Sequence, residues 1–293
     1  VRERGEDRVF TIVVYTVLTV LLLAVALPML NIVASSFSSP AAVTSGRVSF
    51  WPVDFTTRGY EVALNNPQIV RGFLNSVGYV LLGTTISVAL TIALAYPLSR
   101  RSFVGRNVIT VLVIFTMLFS GGLIPTYMVV RGLGLIDTPW AMVLPAAVGV
   151  WQVIIARAYF QSAIPEELHE AAMIDGASDL RVMWSVVLPL AKPMIAVVAL
   201  MYAIGQWNAY FDALIYLRSD QLQPLQIVLR NILVLNASPS GGGMTPAEAL
   251  ERRQLADLLK FSLIVISTIP VMIIYPFVAK HFTKGVLLGA VKG

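Results

Sequence analysis

Apolar residues crowd into six long stretches of the chain, roughly 9–34, 72–98, 107–130, 138–160, 191–217 and 258–280. A helix needs about 20 mainly apolar residues to cross the hydrocarbon core of a bilayer, and each stretch reaches that length. The pattern predicts an all-α, polytopic membrane protein with about six transmembrane helices. The first stretch follows the charged residues Arg2, Glu3 and Arg4. Its apolar run exceeds the roughly 7–15 residues of a signal-peptide core, so it reads as an uncleaved helix. The stretches follow one another through short connections. That predicts a single membrane domain over 1–293, with a first helix at 9–34 and a core at 72–283.

The polar connections have patterns of their own. Trp51-Pro52 leads into Tyr60, Glu61, Val62, Ala63 and Leu64, then Asn66-Pro67, which reads as a short surface helix between turns. Gly241-Gly242-Gly243 marks a flexible break. Thr245-Pro246-Ala247-Glu248 then supplies an N-cap, a first-turn proline and a first-turn acid, predicting a helix from 246 into the last apolar stretch. The connection at 160–190 is the most structured. Pro165 suits a helix start, and Glu166 and Glu167 favour its positive end. Two helical turns run to Met173, and Gly176 breaks them. Ser178 caps a second helix expected over 179–187, ending before Pro189. The product is a helix–turn–helix elbow between two spanning segments. Ala171 and Ala172 admit a close approach by a partner, and Glu170 offers it a charge. An ordinary interfacial loop with an amphipathic helix is the competing reading.

Composition supports the membrane assignment. Charged residues make up 13% of the chain, against about 25% in soluble domains. The net charge of +5 comes from basic residues at the ends of apolar stretches, which is a topology signal rather than a nucleic-acid patch. With the N-terminus inside, the cytoplasmic side holds Arg2, Arg4, Arg8, Arg100, Arg101, Arg106, Arg157, Arg181, Lys192, Lys280, Lys284 and Lys292. The opposite side holds fewer basic residues on much longer segments. Both termini and the elbow are therefore expected in the cytoplasm. There is no cysteine, which excludes disulfides and thiolate metal sites, and two histidines leave little to build a zinc site from. No G-x-x-x-x-G-K-[ST] phosphate loop occurs, so ATP-driven transport would need its ATP hydrolysed on another polypeptide.

Glu170-Ala171-Ala172, with Gly176 six residues after Glu170 and then Leu188-Pro189, resembles the EAA motif of ABC importer permeases. The extension Asp175-Gly176-Ala177, with Trp184 and Pro193, is similar to the sugar-importing branch. Trp207-Asn208-Ala209-Tyr210-Phe211-Asp212, Asn75-Ser76 and the ending Phe282-Thr283-Lys284-Gly285 look like maltose-type permeases, smaller subunit. Ser120 to Tyr127 and Leu133 to Thr138 are similar to a subgroup taking up alginate and other uronide oligosaccharides. The resemblance implies a type I importer permease fold in a bacterial inner membrane, and transport by alternating access without catalysis on this chain. It implies a second related permease, two ATP-binding subunits carrying ATP and magnesium, and an extracytoplasmic sugar-binding protein. It also assigns Glu170, Ala171, Ala172, Asp175, Gly176 and Ala177 to coupling with the ATPase.

Polar groups inside spanning segments usually face a bundle interior or a watery path. Tyr202, Gln206 and Tyr210 are spaced by four and predict one helix face, with Asn208 and Asp212 on a neighbouring one. Aromatic faces with amide and carboxylate groups suit a sugar. Asn75 and Tyr79 are further candidates. The alternatives are hydrogen bonds to neighbouring helices, or an interfacial position for Asp212. His169 reads as elbow surface. An ion-coupled secondary transporter, a same-type permease for a non-sugar solute and a membrane-embedded enzyme are the rival functions; no internal repeat supports the first, which also leaves the elbow unexplained, and no nucleophile–base pair supports the third.

Overall fold

The computed structural model describes residues 5–232, 256–257, 259–274 and 276. The expected helix start at 246, the end of the last stretch and the 282–293 motif lie outside those residues. Among the described residues all regular structure is helical. Those within Val1–Val70 and Val228–Ile269 form one compact unit, and those within Arg71–Ile227 and Pro270–Gly293 a second.

In the first unit, α1 (Gly5–Ser36) is apolar on every side, and none of its most apolar window is buried, as suits a surface that faces lipid. Thr11 and Thr16 donate their hydroxyls to the carbonyls of Asp7 and Ile12, at 2.7 and 2.8 Å, and so satisfy them within the helix. A short α2 (Pro40–Thr44) is capped by Ser39, whose side chain accepts from the Ala42 N–H. The predicted surface helix is α3 (Arg58–Asn65). Phe37 stacks on Phe55, with ring centroids 5.6 Å apart, and the Tyr60 hydroxyl lies 2.7 Å from Ser36 Oγ.

The second stretch forms an unbroken helix, α4 (Pro67–Ser99), long enough to span. Three later stretches differ from the straight helices expected. At 107–130 the chain makes α5 (Arg106–Leu118) and α6 (Leu123–Gly132), bent by 115°. The 13 residues of α5 rise about 20 Å, short of the roughly 30 Å core. Gly121-Gly122 lies in the bend, and glycine lowers the cost of leaving the helix. At 138–160 a single turn, α7 (Trp140–Val143), precedes α8 (Val150–Ala163), because Pro145 cannot donate a helical hydrogen bond.

The elbow follows as α9 (Glu166–Ile174) and α10 (Asp179–Val182), then a π turn at Met183–Val187 and α11 (Leu188–Leu190). The second elbow helix was expected to stop before Pro189, but the chain continues through it. The wide turn ends just ahead of Pro189, which has no N–H for the helical ladder. At 191–217 the run divides into α12 (Lys192–Trp207) and α13 (Tyr210–Tyr216). Asn208 caps α12: its N–H and its side-chain amide both donate to the Ile204 carbonyl, at 3.1 and 2.9 Å. Two further elements are α14 (Leu225–Arg230) and α15 (Leu259–Ile274), the described part of the last stretch. The main core of the second unit joins Tyr96 and Leu98 of α4, Val153, Ala156 and Phe160 of α8, Val182 and Val187 of the elbow, and Met194, Val198 and Tyr202 of α12.

Candidate functional site: the elbow and the broken fifth stretch

Local chemistry builds the elbow. Pro165 precedes α9 with extended backbone, and Glu166 and Glu167 occupy its first turn. The helix ends in a Schellman arrangement. The Gly176 N–H donates to the Met173 carbonyl and the Ala177 N–H to the Ala172 carbonyl, both at 3.0 Å. Gly176 has φ +78°, a left-handed conformation that glycine enters without steric cost. Ser178 caps α10 as expected, accepting from the Arg181 N–H at 3.4 Å. The six motif residues then divide by face. Glu170, Ala171, Asp175 and Gly176 are exposed. Ala172 and Ala177 are half-buried and pack on the main core. Ile174 is 86% exposed, with Leu180 and Trp184 also exposed, so the outward face is apolar as well as acidic.

Three side chains tie the elbow and its flanking helices to the spanning helices. His169 was expected on the surface, yet its side chain is only 12% exposed. Nε2 lies 3.2 Å from an Asp179 carboxylate oxygen, and Nδ1 lies 3.5 Å from the Tyr96 hydroxyl. His169 therefore joins α9, α10 and α4. Its spacing of three from Ala172 puts both on one face, a signal present in the sequence, and the structure turns that face inward. Arg157 donates Nε–H to the Leu98 carbonyl at 2.9 Å, where a cation also suits the helix C-terminus. Tyr159 donates to the Leu190 carbonyl at 3.1 Å. The exposed Arg101–Glu166 pair at 3.8 Å contributes little by comparison.

The polar residues of the fifth stretch do not share one continuous face. The break at Asn208-Ala209 resets the helical phase, so Tyr202 and Gln206 lie on α12 while Tyr210 and Asp212 lie on α13. The Tyr202 hydroxyl sits 2.7 Å from Thr91 Oγ1 and accepts from the Gly149 N–H at 2.9 Å. It bonds two neighbouring segments. Gln206 is buried against α4 at Gly83, where a Cβ would stand 2.8 Å from its amide. Tyr210 packs beside Tyr79 and Met142, while Asn208 is exposed and Asp212 is half-buried.

Asn75 and Tyr79 serve the loop after α13. Asn75 donates to the carbonyls of Gln221 (2.8 Å) and Gln223 (3.0 Å), and Tyr79 to that of Leu222 (2.7 Å). Ser76 Oγ accepts from the Leu225 N–H at 2.9 Å. Asp137 closes the same region. It stands at φ +60°, which aspartate tolerates. It accepts from the N–H groups of Arg218 (2.9 Å) and Ser219 (2.8 Å) and from the Ser219 hydroxyl (2.5 Å). The Ser219 hydroxyl, the Ser219 and Arg218 N–H groups and the Arg218 charge hold its carboxyl below the usual range, outweighing a smaller desolvation. Among the described residues no three His, Asp or Glu side chains are grouped to hold a metal.

A family model described as "Binding-protein-dependent transport system inner membrane component" matches residues 63–288. The chain belongs to this family. The permease is 43% identical to Protein LplC of Bacillus subtilis (strain 168) over 91% of this chain and 89% of that one. It is 40% identical to the polygalacturonan/rhamnogalacturonan transport system permease protein YtcP of the same organism, over 98% and 100% of the two chains. A solved bacterial ABC transporter chain, involved in import of the acidic polysaccharide alginate, matches with TM-score 0.86 and 35% identity, over 96% of this chain and 99% of that one. The permease thus has the all-α membrane fold of type I ABC importers and is a transport subunit, which sets the secondary-transporter reading aside. His169, Ile174, Leu180 and Asp137 are not among the candidate residues of the sequence; the structure places the first three at the elbow and Asp137 at the loop after α13.

Proposed function

We propose that this permease serves an ATP-driven importer that carries acidic oligosaccharides, alginate or another uronide, into the cytoplasm by alternating access. The observation that carries the substrate class is the pair of relatives similar over nearly the whole chain, one named for polygalacturonan and rhamnogalacturonan and one for the acidic polysaccharide alginate. Both handle polymers containing uronic acids. The partners are a second, related permease, two ATP-binding subunits that hold the ATP and magnesium, and an extracytoplasmic sugar-binding protein. The termini and the elbow at 160–190 lie in the cytoplasm, where Glu170, Ala171, Asp175 and Gly176 meet the ATPase while Ala172 and Ala177 hold the elbow to the core. The expected core at 72–283 falls inside the family match over 63–288.

In this reading closure of the ATPases pushes the elbow, and His169, Arg157 and the shared core pass the motion to α4, α8 and α12. Gln206, Asn208, Tyr210 and Asp212 line the path, whereas Tyr202, Asn75 and Tyr79 hold its walls in register. The test is ATP hydrolysis and uptake by the complete complex in vesicles. Oligogalacturonate or oligoalginate, delivered by the cognate binding protein, should stimulate both, and neutral malto-oligosaccharides should not. Stimulation by the neutral sugar alone would overturn the substrate class and leave the importer reading standing.

A further inference from the structure

The segment Val9–Leu30 of α1, between Arg8 and the first amide side chain at Asn31, rises about 33 Å, matching the roughly 30 Å hydrocarbon core. Asn31 therefore marks the membrane boundary opposite the N-terminus. Its side-chain amide donates to the carbonyls of Val48 (3.1 Å) and Ser49 (2.8 Å), which holds the backbone there level with that boundary. The next two residues, Phe50 and Trp51, are 50% and 82% exposed. The far side of this tip is also pinned. The Val53 N–H donates to Ser38 Oγ at 3.0 Å, and the Ser39 N–H donates to the Val53 carbonyl at 3.1 Å. Behind it, Ala34, Ala42 and Val48 pack together. Arg47 and Asp54, paired at 3.5 Å, flank the two rings with charge.

We propose that Phe50-Trp51 is a membrane-interface anchor, inserted at the head-group boundary on the side opposite the N-terminus, which fixes the depth of α1. The occupant is lipid because Asn31, which bonds the backbone next to the tip, directly follows the part of α1 whose most apolar window has no buried residue. Tryptophan belongs at this depth, with its ring in the acyl boundary and its N–H among the head groups. The tip precedes residues 63–288, which carry the family likeness, and its role is independent of the transported substrate.

The test uses the full chain in nanodiscs, with Trp140, Trp151, Trp184 and Trp207 each replaced by Phe so that Trp51 alone reports. The expected result is blue-shifted emission and loss of most of the fluorescence to lipids brominated near the carbonyl end of the acyl chain, with far less loss to lipids brominated near its methyl end. Emission typical of water, quenched by neither lipid, would overturn the anchor. Water-like emission that becomes shielded only when the binding protein is added would overturn it in favour of protein docking. Should the four replacements prevent assembly, fluorotryptophan labelling of the unaltered sequence gives the same contact by fluorine NMR, assigned through Trp51→Phe. Broadening of that signal by a lipid-borne spin label supports the anchor, and broadening by a water-soluble one alone overturns it.

Discussion

Two regions of the second unit hold their backbone in opposite ways. Around the loop after α13, Asn75, Tyr79, Ser76 and Asp137 bond directly to backbone N–H and carbonyl groups of residues 218–225. The chain there satisfies itself. The elbow is held from within by Ala172, Ala177 and His169, while Glu170, Ile174, Leu180 and Trp184 remain exposed on its outer face. One region is a clasp that needs nothing else, and the other leaves an apolar and acidic face exposed. The coupling role proposed for the elbow asks for an element stiff toward its own helices and open toward a partner subunit, and this division of faces suits both.

The largest effect is expected at the elbow's turn. Gly176→Pro forbids φ +78° and removes the N–H that bonds Met173. A misplaced proline costs about 3 kcal/mol or more locally. The expected outcome is loss of the co-purifying ATPase and of uptake, with membrane insertion intact. Normal uptake would show that the elbow does not couple.

Glu170→Lys reverses an exposed charge without touching the turn, so the variant should insert and fold normally. Sugar-stimulated ATP hydrolysis should fall by at least about tenfold, the scale of a lost charge-assisted hydrogen bond. Unchanged stimulation would remove Glu170 from the interface. His169→Ala sharpens the comparison from the inner side. It removes bonds to Asp179 and Tyr96, worth about 1–2 kcal/mol together. ATP hydrolysis should persist while uptake per ATP falls, and His169→Gln should restore part of it. Equal losses in both variants with no change in that ratio would mark His169 as structural only.

The smallest effect belongs to the clasp. The Asp137 carboxyl is held below its ordinary range by the Ser219 and Arg218 donors. Its stabilising contribution is fully present above the unfolded value of about 4 and is lost as pH falls through the lower folded value. Melting of the purified permease should show this acid-side component, and Asp137→Asn should lack it. Uptake at neutral pH should remain close to normal. Loss of uptake in Asp137→Asn would mean that the clasp also moves during transport.

The elbow was legible residue by residue because its signals are local: Pro165, Gly176 and Ser178 each act within one helical turn. The spacing of His169 from Ala172 puts the two on one helix face, but that this face turns inward, and which groups His169 meets there, could not be read that way. The breaks at 119–122, 144–149 and 208–209 were missed for a different reason. Hydropathy counts apolar length, and Gly121-Gly122, Pro145 and Asn208 barely change that count while ending the helical ladder.

The sequence by itself determined the membrane environment, the positions of the six apolar stretches and the first elbow helix with its turn, since hydrophobic length and cap chemistry are properties of neighbouring residues. Only the tertiary structure decided that Ala171 faces out while Ala172 faces in. It alone turned Tyr202 toward Thr91 and Gly149, and Asn75 and Tyr79 toward the carbonyls of residues 221–223. Those partners stand far apart along the chain, and a hydrogen bond depends on where folding brings two groups, which no local pattern encodes.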